Sequence, residues 1–259
     1  MAGRSTSQAS MQVQHHQNIQ PSAEALAKVH AVAWSPNCRR LAVADANLLV
    51  SLFDDSGTRR DKFATKPRAK DAPKNYTIPG MTFSPDSTML AIAQSDCIVY
   101  VYRLGLEWGD RKKICNKFVQ TSPVSSITWP SQRPGEVVFG CVDGNVKLGI
   151  IKNNKTALLY STDSQVVSMC SSPDGRSFLS GHLDGSVHLF SFDDPRFGGE
   201  PFHEKILTHS CIPYALGWGD EILVAGSDCK VCCCPLQVLA LRCVLSLMCH
   251  LHPHPDPIL

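Results

Sequence analysis

Val166-Val-Ser-Met-Cys-Ser-Ser-Pro173-Asp174-Gly175, followed by Phe178-Leu-Ser-Gly181, Asp184-Gly185 and Val187-His-Leu-Phe190, decides the fold. An apolar alternating run breaks at a Pro-Asp-Gly turn, a short apolar run follows, and Asp-Gly separates it from a second alternating run. Asp-Gly between two apolar runs is the strongest short signal for a tight β-hairpin. Residues at two-residue spacing, bounded by Pro, Gly and Asp, read as strands.

Working outward, the same order of features recurs on both sides. The first copy runs Val29 to Trp34-Ser35-Pro36, then Leu41 to Ala44, Asp45, and Leu48 to Phe53. The second is Met81 to Phe83-Ser84-Pro85-Asp86, Leu90 to Ala93, Asp96, and Ile98 to Tyr102. The third is Val124 to Pro130, Val137 to Phe139, Asp143-Gly144, and Val146 to Ile150. A fifth begins at Tyr214-Ala-Leu216-Gly-Trp218, continues through Ile222 to Gly226, reaches Asp228, and then loses the pattern. Successive aspartates are 51, 47, 41 and 44 residues apart. That period suits four-stranded propeller blades, and blades bury their faces only against neighbours, so they are expected to form a ring. Ile98-Val-Tyr-Val-Tyr102 is apolar enough to be covered on both faces. The expected fold is an all-β, WD40-type β-propeller with about five recognisable blades, the last broken and the ring incomplete.

Asp45, Asp96, Asp143, Asp184 and Asp228 are expected to be turn formers, because an aspartate accepts hydrogen bonds from nearby backbone amides. The other reading is acid–base or metal chemistry, but carboxylates one blade apart cannot converge as a catalytic dyad requires. Trp34, Phe83, Trp129 and Trp218 recur at matching positions and read as core. Thr58 to Asn75 is charged and contains Pro, and reads as exposed loop. Two loop clusters, Arg59-Arg60-Asp61-Lys62 and Asp110-Arg111-Lys112-Lys113, set Arg59, Arg60, Lys62, Arg111 and Lys112 as candidate partner-binding residues against a reading of simple solvation. Trp108, beside Gly109, is a candidate interface anchor, with packing against its own loop as the alternative.

The chain has 259 residues, 43% of them hydrophobic, and a formal charge of +2, a balance that asks for neither nucleic acid nor a membrane. Residues 1 to 10 have no apolar core of the kind a secretory signal needs. Leu236 to Leu251 is broken by Arg242 and His250 and is shorter than the roughly 20 residues a membrane helix requires. A cytoplasmic protein is expected. No Gly-rich phosphate loop, Gly-x-Ser-x-Gly elbow or His-Glu-x-x-His motif occurs, so no catalytic, cofactor-binding or metal residue is assigned. Cys38, Cys97, Cys115, Cys141, Cys170 and Cys211 are expected to be buried reduced thiols.

The repeats resemble WD repeats, with Phe53-Asp54 and Phe190-Ser191 where a Trp-Asp pair is often found. The segments between and across them are more specific. Gly57 to Pro67, Gly80 to Tyr102, Glu107-Trp108-Gly109-Asp110 to Thr121, Leu179 to Gly185 and Pro213 to Leu216 resemble the large WD-repeat subunits of intraflagellar transport complex B. The likeness covers about Met11 to Lys230. It implies a non-catalytic scaffold in cilia, at the basal body and axoneme, with other complex B subunits and ciliary cargo as partners and no cofactor. It also implies that the chain carries most of a first propeller. A WD-repeat adaptor of another system, such as a vesicle coat subunit or a ubiquitin-ligase substrate receptor, is the alternative.

Three segments are therefore expected. Residues 1 to 10 precede the family pattern as a disordered extension, making Met11 a natural start. Residues 11 to 230 form the propeller. Residues 231 to 259 form a cysteine-rich tail, disordered or a short helix, read as an interruption of the fifth blade by read-through, frameshift or an alternative terminus. Cys229 and Cys232 have zinc-knuckle spacing, but a second ligand pair from Cys243, Cys249 and the histidines lacks a recognised spacing.

Overall fold

A computed structural model describes residues 19, 27–69, 75–193, 198–219, 221–226 and 231–235. Among these residues every regular element is a β-strand. Blade 1 is β1 (Val29–Trp34), β2 (Leu41–Asp45), β3 (Leu49–Phe53) and β4 (Arg59–Ala64). Blade 2 is β5 (Gly80–Phe83), β6 (Met89–Gln94), β7 (Ile98–Arg103) and β8 (Lys113–Val119). Blade 3 is β9 (Val124–Thr128), β10 (Glu136–Cys141), β11 (Asn145–Ile150) and β12 (Lys155–Ser161). Blade 4 is β13 (Val166–Ser171), β14 (Ser177–His182), β15 (Ser186–Ser191) and β16 (Phe202–Thr208). Blade 5 is β17 (Ala215–Trp218), β18 (Glu221–Ala225) and β19 (Val231–Pro235). Each is an antiparallel meander in chain order. The blades follow one another through their first strands, β1 on β5, β5 on β9, β9 on β13 and β13 on β17. The result is a five-bladed β-propeller arrangement.

The core lies between blades, which explains why the inner strands are apolar on both faces. In β6, Leu90 and Ile92 pack toward blade 1, while Ala91 and Ala93 pack toward blade 3. In β7, Ile98, Tyr100 and Tyr102 take the first side, and Val99 and Val101 the second. Small residues in one row and large ones in the next let adjacent sheets interdigitate at the density of a protein interior. Phe178, Phe190 and Phe192 join blade 4 to blade 3, and Ile222 and Val224 join blade 5 to blade 4.

Two turn devices repeat. Between the first two strands, a buried serine holds the turn: Ser35, Ser84 and Ser172 donate to Asn37, Asp86 and Asp174 at 2.7, 2.5 and 2.6 Å. Their hydroxyls also accept the amides of Arg40, Met89 and Ser177. Between the second and third strands, Asp45 accepts the Asn47 and Leu49 amides, Asp143 the Asn145 amide, and Asp184 the Ser186 amide and hydroxyl. Asp96 instead accepts the Arg68 amide of the segment entering blade 2, at 2.7 Å. Asp228 lies outside the described residues.

Several sequence expectations are corrected. Arg59–Ala64, read as loop, is the outer strand β4, and Lys113–Val119 is the outer strand β8. An outermost strand has one free edge and needs few apolar residues, so its pattern is weak; Phe63, Ile114 and Phe118 suffice here. Trp34 is exposed, unlike Phe83 and Trp129, because it sits on the face of blade 1 turned away from blade 2. Cys38 and Cys115 are exposed, whereas Cys141 is buried. The strand pattern also extends past Lys230, where Val231–Pro235 pairs with β18 from Ala225↔Val231 to Glu221↔Pro235. Residues 1–10 and the tail beyond Pro235 lie outside the described residues.

Candidate protein-interaction surface

In an antiparallel meander, the turn between the first two strands and the turn between the last two lie at the same end of a blade. At that end of blades 1 and 2, residues 104–112 form the longest of these turns, linking β7 to β8. Gly105 enters it at φ +85°, where a Cβ would stand 2.4 Å from the Asp110 side chain. Only glycine allows that left-handed bend and close approach.

Blade 1 holds the loop from below. The Arg40 guanidinium, just ahead of β2, donates to the Gly105 carbonyl at 3.2 Å and to the Leu106 carbonyl at 3.0 Å. It also lies 4.9 Å from the centre of the Trp108 ring, within cation–π range. Asp61 of β4 accepts the Gly109 amide at 3.2 Å and pairs with the Lys112 ammonium. Burial raises the Asp61 pKa, and the Lys112 ammonium with the Gly109 and Lys62 amides reverses that, leaving it below the ordinary range. Asp54 accepts from the Ser56 hydroxyl and, at 2.6 Å, from Arg60, and these hold its carboxyl well below the carboxylate range.

The candidates named from sequence therefore separate into two kinds. Lys112 is tied to Asp61 with its side chain only 7% exposed, and Arg60 is paired with Asp54. Lys62 and Arg111 present themselves to solvent, as does Arg59 at the start of β4. Trp108 packs on Arg40 yet keeps 37% of its surface open, beside the more exposed Leu106.

The loop divides two clefts. On one side, a mixed-charge hollow of about 600 Å³ is lined by Asp54, Asp55, Arg60, Asp86 and Trp108 among others. On the other, a cleft of about 760 Å³ runs between β4 and β8, where six cationic side chains outnumber the two carboxylates. Sequence reading missed Lys66, Tyr102 and Lys117 as neighbours there. No short-range signal joins them, since they converge only when two outer strands stand side by side.

A WD40 family model, the WD domain or G-beta repeat, matches residues 154–191. That span takes the outer strand of blade 3 together with the first three strands of blade 4. Beyond this repeat, the chain is 46% identical over 228 residues to intraflagellar transport protein 172 of Chlamydomonas reinhardtii. It is 44% identical over 223 residues to the Homo sapiens homologue, and 39% identical to intraflagellar transport protein osm-1 of Caenorhabditis elegans. Each match covers 85% of this chain.

The chain is a homologue of intraflagellar transport protein 172.

It spans only 12–13% of the length of these relatives. The similarity extends across 85% of the chain whereas the repeat model matches residues 154–191 alone, so it involves far more than the periodic turn residues.

Proposed function

We propose that the chain is a non-catalytic protein-interaction scaffold of intraflagellar transport, contributing to complex B and to cilium assembly and maintenance. The observation that carries this reading is 39–46% identity over 85% of the chain to proteins named for intraflagellar transport. The geometry supports it in kind. Blades packed through continuous interfaces give a rigid body, and its loop end offers charged and aromatic side chains of the type enriched at interfaces. Partners are other complex B subunits and ciliary cargo, met in the cytoplasm, at the basal body and along the axoneme.

The test is affinity purification of the tagged chain from ciliated cells, with imaging of its position. Recovery of complex B subunits and a ciliary signal are expected. Recovery of vesicle-coat or ubiquitin-ligase subunits without a ciliary signal would overturn the reading in favour of another adaptor system.

A further inference from the structure

The cleft between blades 1 and 2 has three properties that belong together. Its rim is basic: Lys62 and Lys66 on the blade 1 side, and Arg111, Lys113 and Lys117 on the blade 2 side, all reach solvent. Its floor is apolar, made by Phe63, Tyr102 and Ile114, with the Phe63 and Tyr102 rings 5.0 Å apart. In that floor Tyr102 is 3% exposed, and its hydroxyl makes no hydrogen bond. The Lys66 backbone amide approaches that oxygen closely enough to oppose in part the rise in pKa that burial causes, but it falls short of full hydrogen-bond geometry. A buried hydroxyl left unpaired is costly, and a ligand in the cleft that met it would recover that cost.

We propose that this cleft binds an acidic peptide segment of a partner protein, its carboxylates meeting the lysines of the rim and an apolar residue between them covering Phe63 and Ile114 above the buried Tyr102. The inference rests on the reading of the chain as an interaction scaffold and names the surface and the chemistry of its partner. The two carboxylates of the lining do not cancel the rim. Asp61 is engaged by Lys112, and Asp110 accepts the Glu107 amide of its own loop. A volume of about 760 Å³ takes a few side chains, not a folded domain. The partly exposed Phe63 and Ile114 favour a peptide over a bare polyanion, which would leave them uncovered. The Gly105 bend and the Arg40 clamp preset the wall formed by the loop, so ordering it on binding costs little.

The experiment uses the full chain and a fluorescein-labelled peptide of alternating Glu and Leu, read by anisotropy. Binding that weakens as salt rises is expected, because exposed charges are screened within about 10 Å at 0.1 M salt. Lys66→Glu with Lys113→Glu is expected to weaken binding at least about tenfold. Tyr102→Phe, which keeps the ring, should weaken it by a smaller factor while leaving the thermal melt intact. Unchanged affinity in the charge-reversed chain would overturn the proposal. So would a preference for phosphatidylserine vesicles or single-stranded RNA over the peptide, with Tyr102→Phe silent. Failure of the transport reading is separable. It would appear as loss of complex B subunits from the purification of the unmodified chain, whatever the peptide does.

Discussion

Lys112, in the loop that follows β7 of blade 2, is buried against Asp61 on the outer strand of blade 1, with side chains 7% and 16% exposed. This pair joins two blades at their rim. Its geometry is completed on both sides. Asp61 also accepts the Gly109 amide, and Lys112 also donates to the Asp110 carbonyl at 2.7 Å. Removing one partner strands the other charge away from water, which costs more than the pair is worth. Asp61→Asn is expected to lower stability by about 2 kcal/mol, the partial exposure reducing the cost of a fully buried break. Adding Lys112→Met should recover most of the loss. Chemical denaturation of the three variants measures this, and faster hydrogen exchange at Gly109 should mark the single variant. Equal stability of Asp61→Asn and the unmodified chain would show that the pair is dispensable.

A second prediction concerns acid. Three histidines line the junction between blades 3 and 4. His182 contacts Ser180 at 2.8 Å and Thr162 at 3.1 Å. His188 contacts His203 at 3.0 Å, and His203 stacks on Tyr160 with ring centres 3.8 Å apart. Burial, reinforced by His182 and His203, lowers His188 to about 4, and burial lowers His182 and His203 as well. Asp184 opposes the shift at His182 and His188, while Lys205 adds to it at His188. A histidine depressed in the folded state binds protons more readily when unfolded. Its contribution is therefore complete above the unfolded value near 6.5 and declines as pH falls toward 4. Each pKa unit is worth about 1.4 kcal/mol, and solvent screening at the partly exposed His188 and the exposed His203 brings the loss to about 2 kcal/mol. A thermal melt that falls between pH 7 and pH 5, and falls less in His188→Gln, is the expected result. A flat profile over that window would refute it.

Glycines at the same φ should not cost the same. Gly144 and Gly109 sit at φ +81° and +85°. A Cβ at Gly144 would stand 2.0 Å from the Thr162 carbonyl oxygen, whereas one at Gly109 meets nothing within 4 Å. Gly109→Ala should cost only the left-handed backbone term, about 1 kcal/mol. Gly144→Ala must also displace the Thr162 backbone just after β12, and should cost about 3 kcal/mol. Urea denaturation of both variants compares them directly, and equal losses would mean that the Thr162 backbone yields freely.

The contrast between these two glycines also shows what the sequence could carry. Asp143-Gly144 sits between two apolar runs, so the turn, its strand partners and the blade period were all legible locally. Tyr102 and Lys66 carry no comparable signal. Tyr102 looks like any strand aromatic, and Lys66 like any loop lysine, until β4 and β8 stand side by side. The outer strands were hard to read for a related reason. An edge strand such as Arg59–Ala64 is solvated along one side, so charge does not argue against it as it would in β6. The histidine network was hidden too, since His182, His188 and His203 fall on three strands and meet only across the sheet.

The exposed face of blade 1 supplies the last prediction. Ala31 and Ala33 of β1 pack toward blade 2, so Val32 and Trp34 between and after them point the other way, at 61% and 55% exposure. A β-branched residue and an indole side by side on a sheet face are the kind of apolar patch that drives association between molecules. The chain is expected to self-associate as its concentration rises. Val32→Thr with Trp34→Lys should suppress this while changing stability by no more than about 0.5 kcal/mol, because neither side chain belongs to a blade-to-blade core. Sedimentation velocity across a concentration series reads the effect. Self-association that persists unchanged in the double variant would place the sticky surface elsewhere. A large loss of stability would mean instead that this face is packed in solution, and that Trp34 serves the core its repeat position suggested.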